Sequence, residues 1–143
     1  MELKQISVFL ENRAGQLSAI TQKLSQAHID LRALNIAETA DYGLLRLIVN
    51  DTDAAVQVLQ QAGCIVTTTR VLAVAVPDTP GGLNTLLEIL TEQHINVHYM
   101  YSIFGHVDSL AYMILQLDDI DTAAAVLAEK GIQIAQPKAL GIH

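Results

Sequence analysis

The sequence predicts an α+β fold made of two tandem βαββαβ units, spanning 1–69 and 70–143. Three observations lead there. The chain repeats itself, each repeat alternates between apolar periods of two and of three to four, and Gly, Pro or Asp punctuates the segments. Sliding the 143 residues along themselves sets Gly15 on Gly81, Leu17 on Leu83, Leu24 on Leu90, His28 on His94 and Ile29 on Ile95 at an offset of 66. Further along, Asp53 meets Asp121, Val58 meets Val126, Leu59 meets Leu127 and Gly63 meets Gly131 at an offset of 68. The second copy has therefore gained two residues, between Ile36/Ser102 and Leu44/Tyr112. Ala40-Asp41-Tyr42-Gly43 and Gly105-His106-Val107-Asp108 occupy that stretch and read as turns, where length changes are tolerated.

The first strand of each copy is marked by Ile6, Val8 and Leu10 alternating with Gln5, Ser7 and Glu11, and by Leu72, Val74 and Val76, the period of a half-buried strand. Leu17, Ile20, Leu24 and Ala27, and then Leu83, Leu86, Leu87 and Leu90, recur at helical spacing. Pro80, after Asp78 and Thr79, suits a first helical position. Hairpins follow over 31–38 with 44–49, and over 97–104 with 110–117. Asp53 and Asp121 suit the caps of second helices that stop at Gly63 and Gly131. Short last strands, 65–68 and 132–134, complete the units. A βαββαβ unit of ~70 residues most economically forms an antiparallel sheet with both helices on one face, the ferredoxin-like arrangement. From Thr67 to Val71 there is no flexible linker, and pairing of the two units into a continuous sheet is expected because it removes exposed edges.

Composition narrows the function. A hydrophobic content of 51% against 16% charged residues excludes disorder and favours burial in an oligomer, a homodimer being the simplest. With 8 Lys and Arg against 15 Asp and Glu, the formal charge of -7 gives no basic stripe for nucleic acid or anionic lipid. No apolar run reaches the ~18 residues of a membrane span. The single Cys64 excludes an internal disulfide and reads as a small buried apolar residue of a cytoplasmic protein.

The segment Leu10-Glu11-Asn12-Arg13-Ala14-Gly15-Gln16-Leu17 resembles the strand-to-helix turn of the ACT domain, a regulatory amino-acid-binding module. The likeness extends over nearly the whole chain: "HIDL" and "IAETADYGLLRLIV" in the first copy, "VPDTPGGL", "HINV" and "YMYSIFG" in the second. Together these resemble a family of small bacterial proteins made almost entirely of two tandem ACT domains. The resemblance implies a non-enzymatic sensor that binds a free amino acid between paired units, from the first turn of one to the edge strand of its neighbour, and reports to a metabolic enzyme. No cofactor or metal is implied. By position, the ligand-binding set in the first copy is Leu10, Asn12, Arg13, Ala14, Gly15, Asp30 and Leu31. The second copy offers Asp78, Gly81, Gly82, Asn96, Val97, Tyr99, Tyr101 and Ser102, and departs from the pattern with Asp78-Thr79-Pro80 in the turn and Asn96 at the strand.

An amino acid carries a carboxylate and an ammonium. Backbone N–H groups at a helix start, reached through Ala14, Gly15 and Gln16 or through Gly81 and Gly82, form an anion cradle. The Asn12 amide can donate and accept, while Asp30 or Asp78 could hold the ammonium. Tyr99, Tyr101 and Ser102 are candidates for contacting the ligand side chain.

Each residue also has a plain reading. Asn12 and Asp78 stand where helix caps stand, Arg13 suits a solvated surface cation, and the tyrosines could pack on a sheet face. His94 and His98 have the H-x-x-x-H spacing of a helical zinc pair but fall on a helix end and a strand. The aspartates around 51–53 and 118–121 complement helix dipoles. Two other functions compete: a regulatory subunit similar to the acetolactate synthase small subunit, whose resemblance covers the first unit alone, and a small ferredoxin-like enzyme, for which no nucleophile elbow, phosphate loop or paired-carboxylate motif is present.

Overall fold

The computed structural model describes residues 3–38, 41–104 and 110–142. Ala40 and the second turn, Gly105-His106-Val107-Asp108, lie outside the described residues. In chain order the elements are β1 (Leu3–Glu11), α1 (Gln16–Gln26), β2 (Leu31–Glu38), β3 (Tyr42–Val49), α2 (Thr52–Gln61), β4 (Val66–Pro77), α3 (Gly82–Glu92), β5 (Val97–Ser102), β6 (Leu110–Leu117) and α4 (Ile120–Glu129), followed by a single 3-10 turn, Pro137–Leu140. Two compact units result, one built on Lys4–Thr69 and the other on Arg70–Leu140. The α+β class and the twice-repeated βαββαβ order stand as predicted.

In the first unit, β3 lies between β2 and β1, antiparallel to both, with Ile6 opposite Leu47 and Leu34 also opposite Leu47. The Phe9 N–H donates to the Ile65 carbonyl at 3.1 Å, which brings the start of β4 alongside β1. Period-two alternation points Ile6, Val8, Leu10, Leu45, Leu47 and Val49 to one face, where Ile20 and Leu24 of α1 and Ala55 and Leu59 of α2 bury them. The second unit has the order β4-β6-β5 and the same core: Leu72, Val74, Val76, Leu115 and Leu117 under Leu86, Leu90, Ala123 and Leu127. These are the repeat partners of the first set, so duplication reproduces the packing and not merely the element order.

Four expectations are corrected. The last strand of the first copy and the first strand of the second are one strand, the twelve-residue β4, because nothing between Thr67 and Val71 breaks the extended backbone. At 132–134 the second copy's last strand shrinks to an isolated bridge between Val74 and Ile134, fixed by hydrogen bonds from Ala75 N–H to the Gln133 carbonyl (2.9 Å) and from Ala135 N–H to the Ala73 carbonyl (2.8 Å). Gln5 and Ser7, placed on a wet face by the alternation, are 0% and 8% exposed. The Gln5 amide donates to the Ser7 hydroxyl at 3.3 Å, and Ala33 and Ile48 are fully buried on the same face of the sheet, so that face is dry around Gln5 and Ser7, while Phe9 further along it is exposed. Finally, the caps of α2 and α4 are Asp51 and Asp119, which accept from the backbone N–H groups of Ala54 and Thr122 at 3.1 Å each. A side chain that caps its own helix typically sits on an extended residue two or three positions before the N–H it satisfies. Asp53 and Asp121 fall inside the first turn instead, where their charge complements the positive end of the helix dipole.

Leu59 and Leu127 occupy equivalent positions and are both fully buried. Leu59→Ala and Leu127→Ala are expected to destabilise the protein by about 2–5 kcal/mol each. Urea unfolding followed by circular dichroism measures this, and a cost confined to one of them would contradict the equivalence of the cores.

Candidate functional site

The turn from β1 into α1 is built from backbone. Asn12 N–H donates to the Asp41 carbonyl (3.3 Å), Arg13 N–H to the Glu11 carbonyl (2.9 Å) and Gln16 N–H to the Arg13 carbonyl (3.4 Å). Gly15, at φ 89°, is the residue that caps α1, and no side chain bonds the helix start. The left-handed backbone needed there is one that glycine adopts without strain. The next N–H groups, of Leu17 and Ser18, precede the first intrahelical bond, from Ala19 N–H to the Gly15 carbonyl at 3.0 Å, and are the free donors of the helix start. The reading of Asn12 as a plain helix cap is therefore overturned. Arg13 is 64% exposed but not loose: its Nε lies 2.9 Å from Glu11 Oε2. With the Gln16 amide turned so that its oxygen faces the guanidinium, that oxygen accepts from Arg13 Nε at 2.9 Å and from a terminal nitrogen at 2.7 Å.

The matching turn before α3 has Gly81 at φ 86° as the cap, again with no side-chain bond, so Asp78 is not a cap either. Pro80 is corrected to a turn position two residues before the helix, because the left-handed Gly81 intervenes. Gly82 stands where the first copy has Gln16, and a Cβ there would come within 2.2 Å of the Pro77 carbonyl oxygen. The second turn is folded tightly on its own backbone.

Asp30 lies at the far end of α1 from Asn12, and eleven helical residues separate the two by about 16 Å. Within this unit the two therefore do not share a site. Asp30 N–H donates to Asn50 Oδ1 (2.9 Å), Asn50 N–H returns a bond to the Asp30 carbonyl (3.0 Å), and the Asp30 carboxylate holds Arg32 at 3.1 Å. The second copy makes the same latch with the residue types exchanged. Asn96 N–H donates to Asp118 Oδ2 (3.0 Å) and Asp118 N–H to the Asn96 carbonyl (3.2 Å), while His98 stands at the position of Arg32 and contacts the carboxylate. The two His98 nitrogens contact Gln116 Oε1 at 2.7 Å and Asp118 Oδ1 at 2.5 Å. Hydrogen bonding to Asp118 and Gln116 raises the His98 pKa, and the bond from His98 holds Asp118 down. Among the described residues no cluster of histidine, cysteine and carboxylates could hold a metal ion.

Of the remaining expected residues, Leu31 and Val97 pack against the two cores, and Leu10 belongs to the first. Tyr99 and Tyr101 stack at 6.5 Å between ring centroids, with Tyr101 buried at 7% exposure and Ser102 exposed.

A cleft of about 420 Å³ opens beside the first turn, between α1 and the turn from α2 into β4. Gln16, Ala19, Ile20 and Lys23 line it at i, i+3, i+4 and i+7 along one helix face, opposite Ala62, Gly63, Cys64 and Ile65, with Phe9, Leu10, Glu11 and Tyr42 at the strand end. Phe9 and Tyr42 lie 5.4 Å apart between centroids and are 51% and 45% exposed, and Ile65 is 68% exposed. Cys64 is part-buried rather than buried, and desolvation pushes its thiol pKa up. Apart from Leu10 and Gln16, sequence reasoning passed over this cleft. The signal available was asymmetry: Phe9, Lys23 and Ile65 meet Ala75, Ile89 and Gln133 in the other copy. Asp30 and Leu31 line a separate, more open groove with Ser18, Thr21, Gln22, Ser25 and His28.

Fold and site thus define a tandem ferredoxin-like protein with a glycine-turned, uncapped helix start beside a cleft. A family model described as an ACT domain pair matches residues 1–142, and the chain belongs to that family. It is similar to protein BT0572 from Bacteroides thetaiotaomicron at 35% identity, with 99% of this chain and 96% of that one covered and a TM-score of 0.92. The ligand-free regulatory subunit of aspartate kinase from Thermus thermophilus shares the fold at 12% identity, with 90% and 93% covered and a TM-score of 0.66. The aspartokinase alpha and beta subunits do so at 13%, with 90% and 91% covered and a TM-score of 0.60. No curated protein matches the sequence.

The raised His98 pKa makes its pairing contribute fully below the ordinary histidine value of 6.5 and fade as pH rises through the higher folded value. The depressed Asp118 pKa makes its own contribution present above the ordinary 3.8 and lost as pH falls through the lower folded value. An NMR titration is expected to place the His98 midpoint above 6.5, with Asp118→Asn bringing it down toward that value. A midpoint unmoved by the substitution would contradict the pairing.

Proposed function

We propose that this is a non-enzymatic regulatory protein that binds a free amino acid at the Asn12–Gly15 turn. It acts in the cytoplasm, as a homodimer, and passes occupancy on to a metabolic enzyme. The observation that carries the reading is the uncapped start of α1 directly beside the 420 Å³ cleft. Free N–H groups at a helix start favour a carboxylate through both hydrogen bonds and the helix dipole. The Asn12 amide, exposed at the same turn, supplies a donor and an acceptor. Membership of the ACT domain pair family supports a regulatory role. Regulation follows from mass action: a ligand that binds one state of the protein stabilises that state by the difference in its affinities.

A thermal-shift panel of the free amino acids tests this. At ~100 times its dissociation constant the true ligand adds ~2.7 kcal/mol to the folded state. Asn12→Ala is expected to shrink the shift, whereas Asp30→Ala, which alters a residue tied to Arg32 at the other end of α1, is expected to leave it unchanged. Absence of a shift with every amino acid would refute the reading.

A further inference from the structure

The two copies share a core but not a rim. At the first turn Gln16 lines the cleft, whereas at the second Gly82 lies against the Pro77 carbonyl. The cleft residues Phe9, Glu11, Lys23, Cys64 and Ile65 correspond to Ala75, Pro77, Ile89, Ile132 and Gln133. Every aromatic or charged group among these five is therefore missing from the second copy. Resting on the amino-acid-binding reading above, we infer that the ligand has a branched or aromatic side chain and that only the amino-terminal copy holds it.

Leu10, Ala19, Ile20, Cys64 and Ile65 give the cleft an apolar lining. Large apolar groups left in water at one place are a liability unless something covers them, and Phe9, Tyr42 and Ile65 are each at least 45% exposed here. A volume of about 420 Å³ falls within the usual range for small-molecule sites. With the carboxylate on the free N–H groups of α1, Glu11 is the acidic group of the lining that can face the ammonium. The side chain then runs along the apolar lining toward Lys23, which has no ion-pair partner among the described residues. Methylenes of the Lys23 stem extend the apolar lining, while its ammonium disfavours lysine and arginine as ligands.

Isothermal titration of the full chain tests the inference, with L-leucine, L-phenylalanine, L-serine, L-aspartate and L-lysine as probes. Leucine or phenylalanine should bind one per chain, at least about tenfold more tightly than the polar probes. Ala19→Trp fills the cleft from an exposed helix position and should weaken binding about tenfold or more, while Thr85→Trp at the equivalent exposed position should not. Ile65→Ser, at a site 68% exposed, is a second variant that does not rely on added bulk and should weaken binding severalfold. Selectivity for a polar amino acid, two ligands per chain, or full affinity in both Ala19→Trp and Ile65→Ser would overturn this inference and leave the amino-acid-binding reading standing. No binding by any amino acid would overturn both.

Discussion

The left-handed glycine between β1 and α1 is the constraint on which the rest depends. At φ 89° Gly15 reverses the chain from strand to helix in the fewest residues, and it has no side chain to return to the helix start. Asp51 and Asp119 show the alternative, an extended residue whose carboxylate closes its own helix. One kind of helix in this protein is thus sealed by its sequence and the other is left open, in both copies. A sealed start is finished structure, whereas an open one retains unmet hydrogen-bonding capacity and the positive end of the dipole.

Duplication preserved the interior and let the periphery diverge. Core positions repeat almost residue for residue, since a change of one methylene in a close-packed layer is felt throughout it. The latch at the opposite end of each unit shows how far the exterior can drift without loss of geometry. Asp30 with Asn50 and Asn96 with Asp118 exchange acid and amide, yet each keeps the same reciprocal backbone bonds. Arg32 in one copy is a permanent cation and His98 in the other a titratable one, so the second latch responds to pH. The same freedom, exercised at the other end of the unit, lined a cleft with Gln16 beside one turn and left room only for Gly82 against the Pro77 carbonyl at the other.

Most of the fold was legible in the sequence because repetition doubled every signal. Ile6, Val8 and Leu10 are ambiguous alone but persuasive beside Leu72, Val74 and Val76. What was not legible depended on neighbours far away in the chain. Gln5 and Ser7 look like wet strand residues, and only the folded sheet reveals that these two are buried. Asp53 and Asp121 align in the repeat and so drew the capping assignment, but capping is decided by backbone angles two residues earlier. The turn at Asn12–Gly15 was readable as a motif. The cleft beside it was not, because Ala62–Ile65 come from the far end of the unit's sequence and are brought to α1 by the packing of α1 and α2 on one core and by the sheet pairing of Phe9 with Ile65.

Amide chemical shifts during a titration with L-leucine or L-phenylalanine test the central claim most directly, that an open helix start beside the cleft of the amino-terminal copy holds the ligand. The N–H signals of Gly15–Ser18 and Gly63–Ile65 are expected to move together and saturate at one equivalent, while those of Gly81–Asn84 stay still. Equal movement at the two turns, or movement that spares Gly15–Ser18, would contradict it.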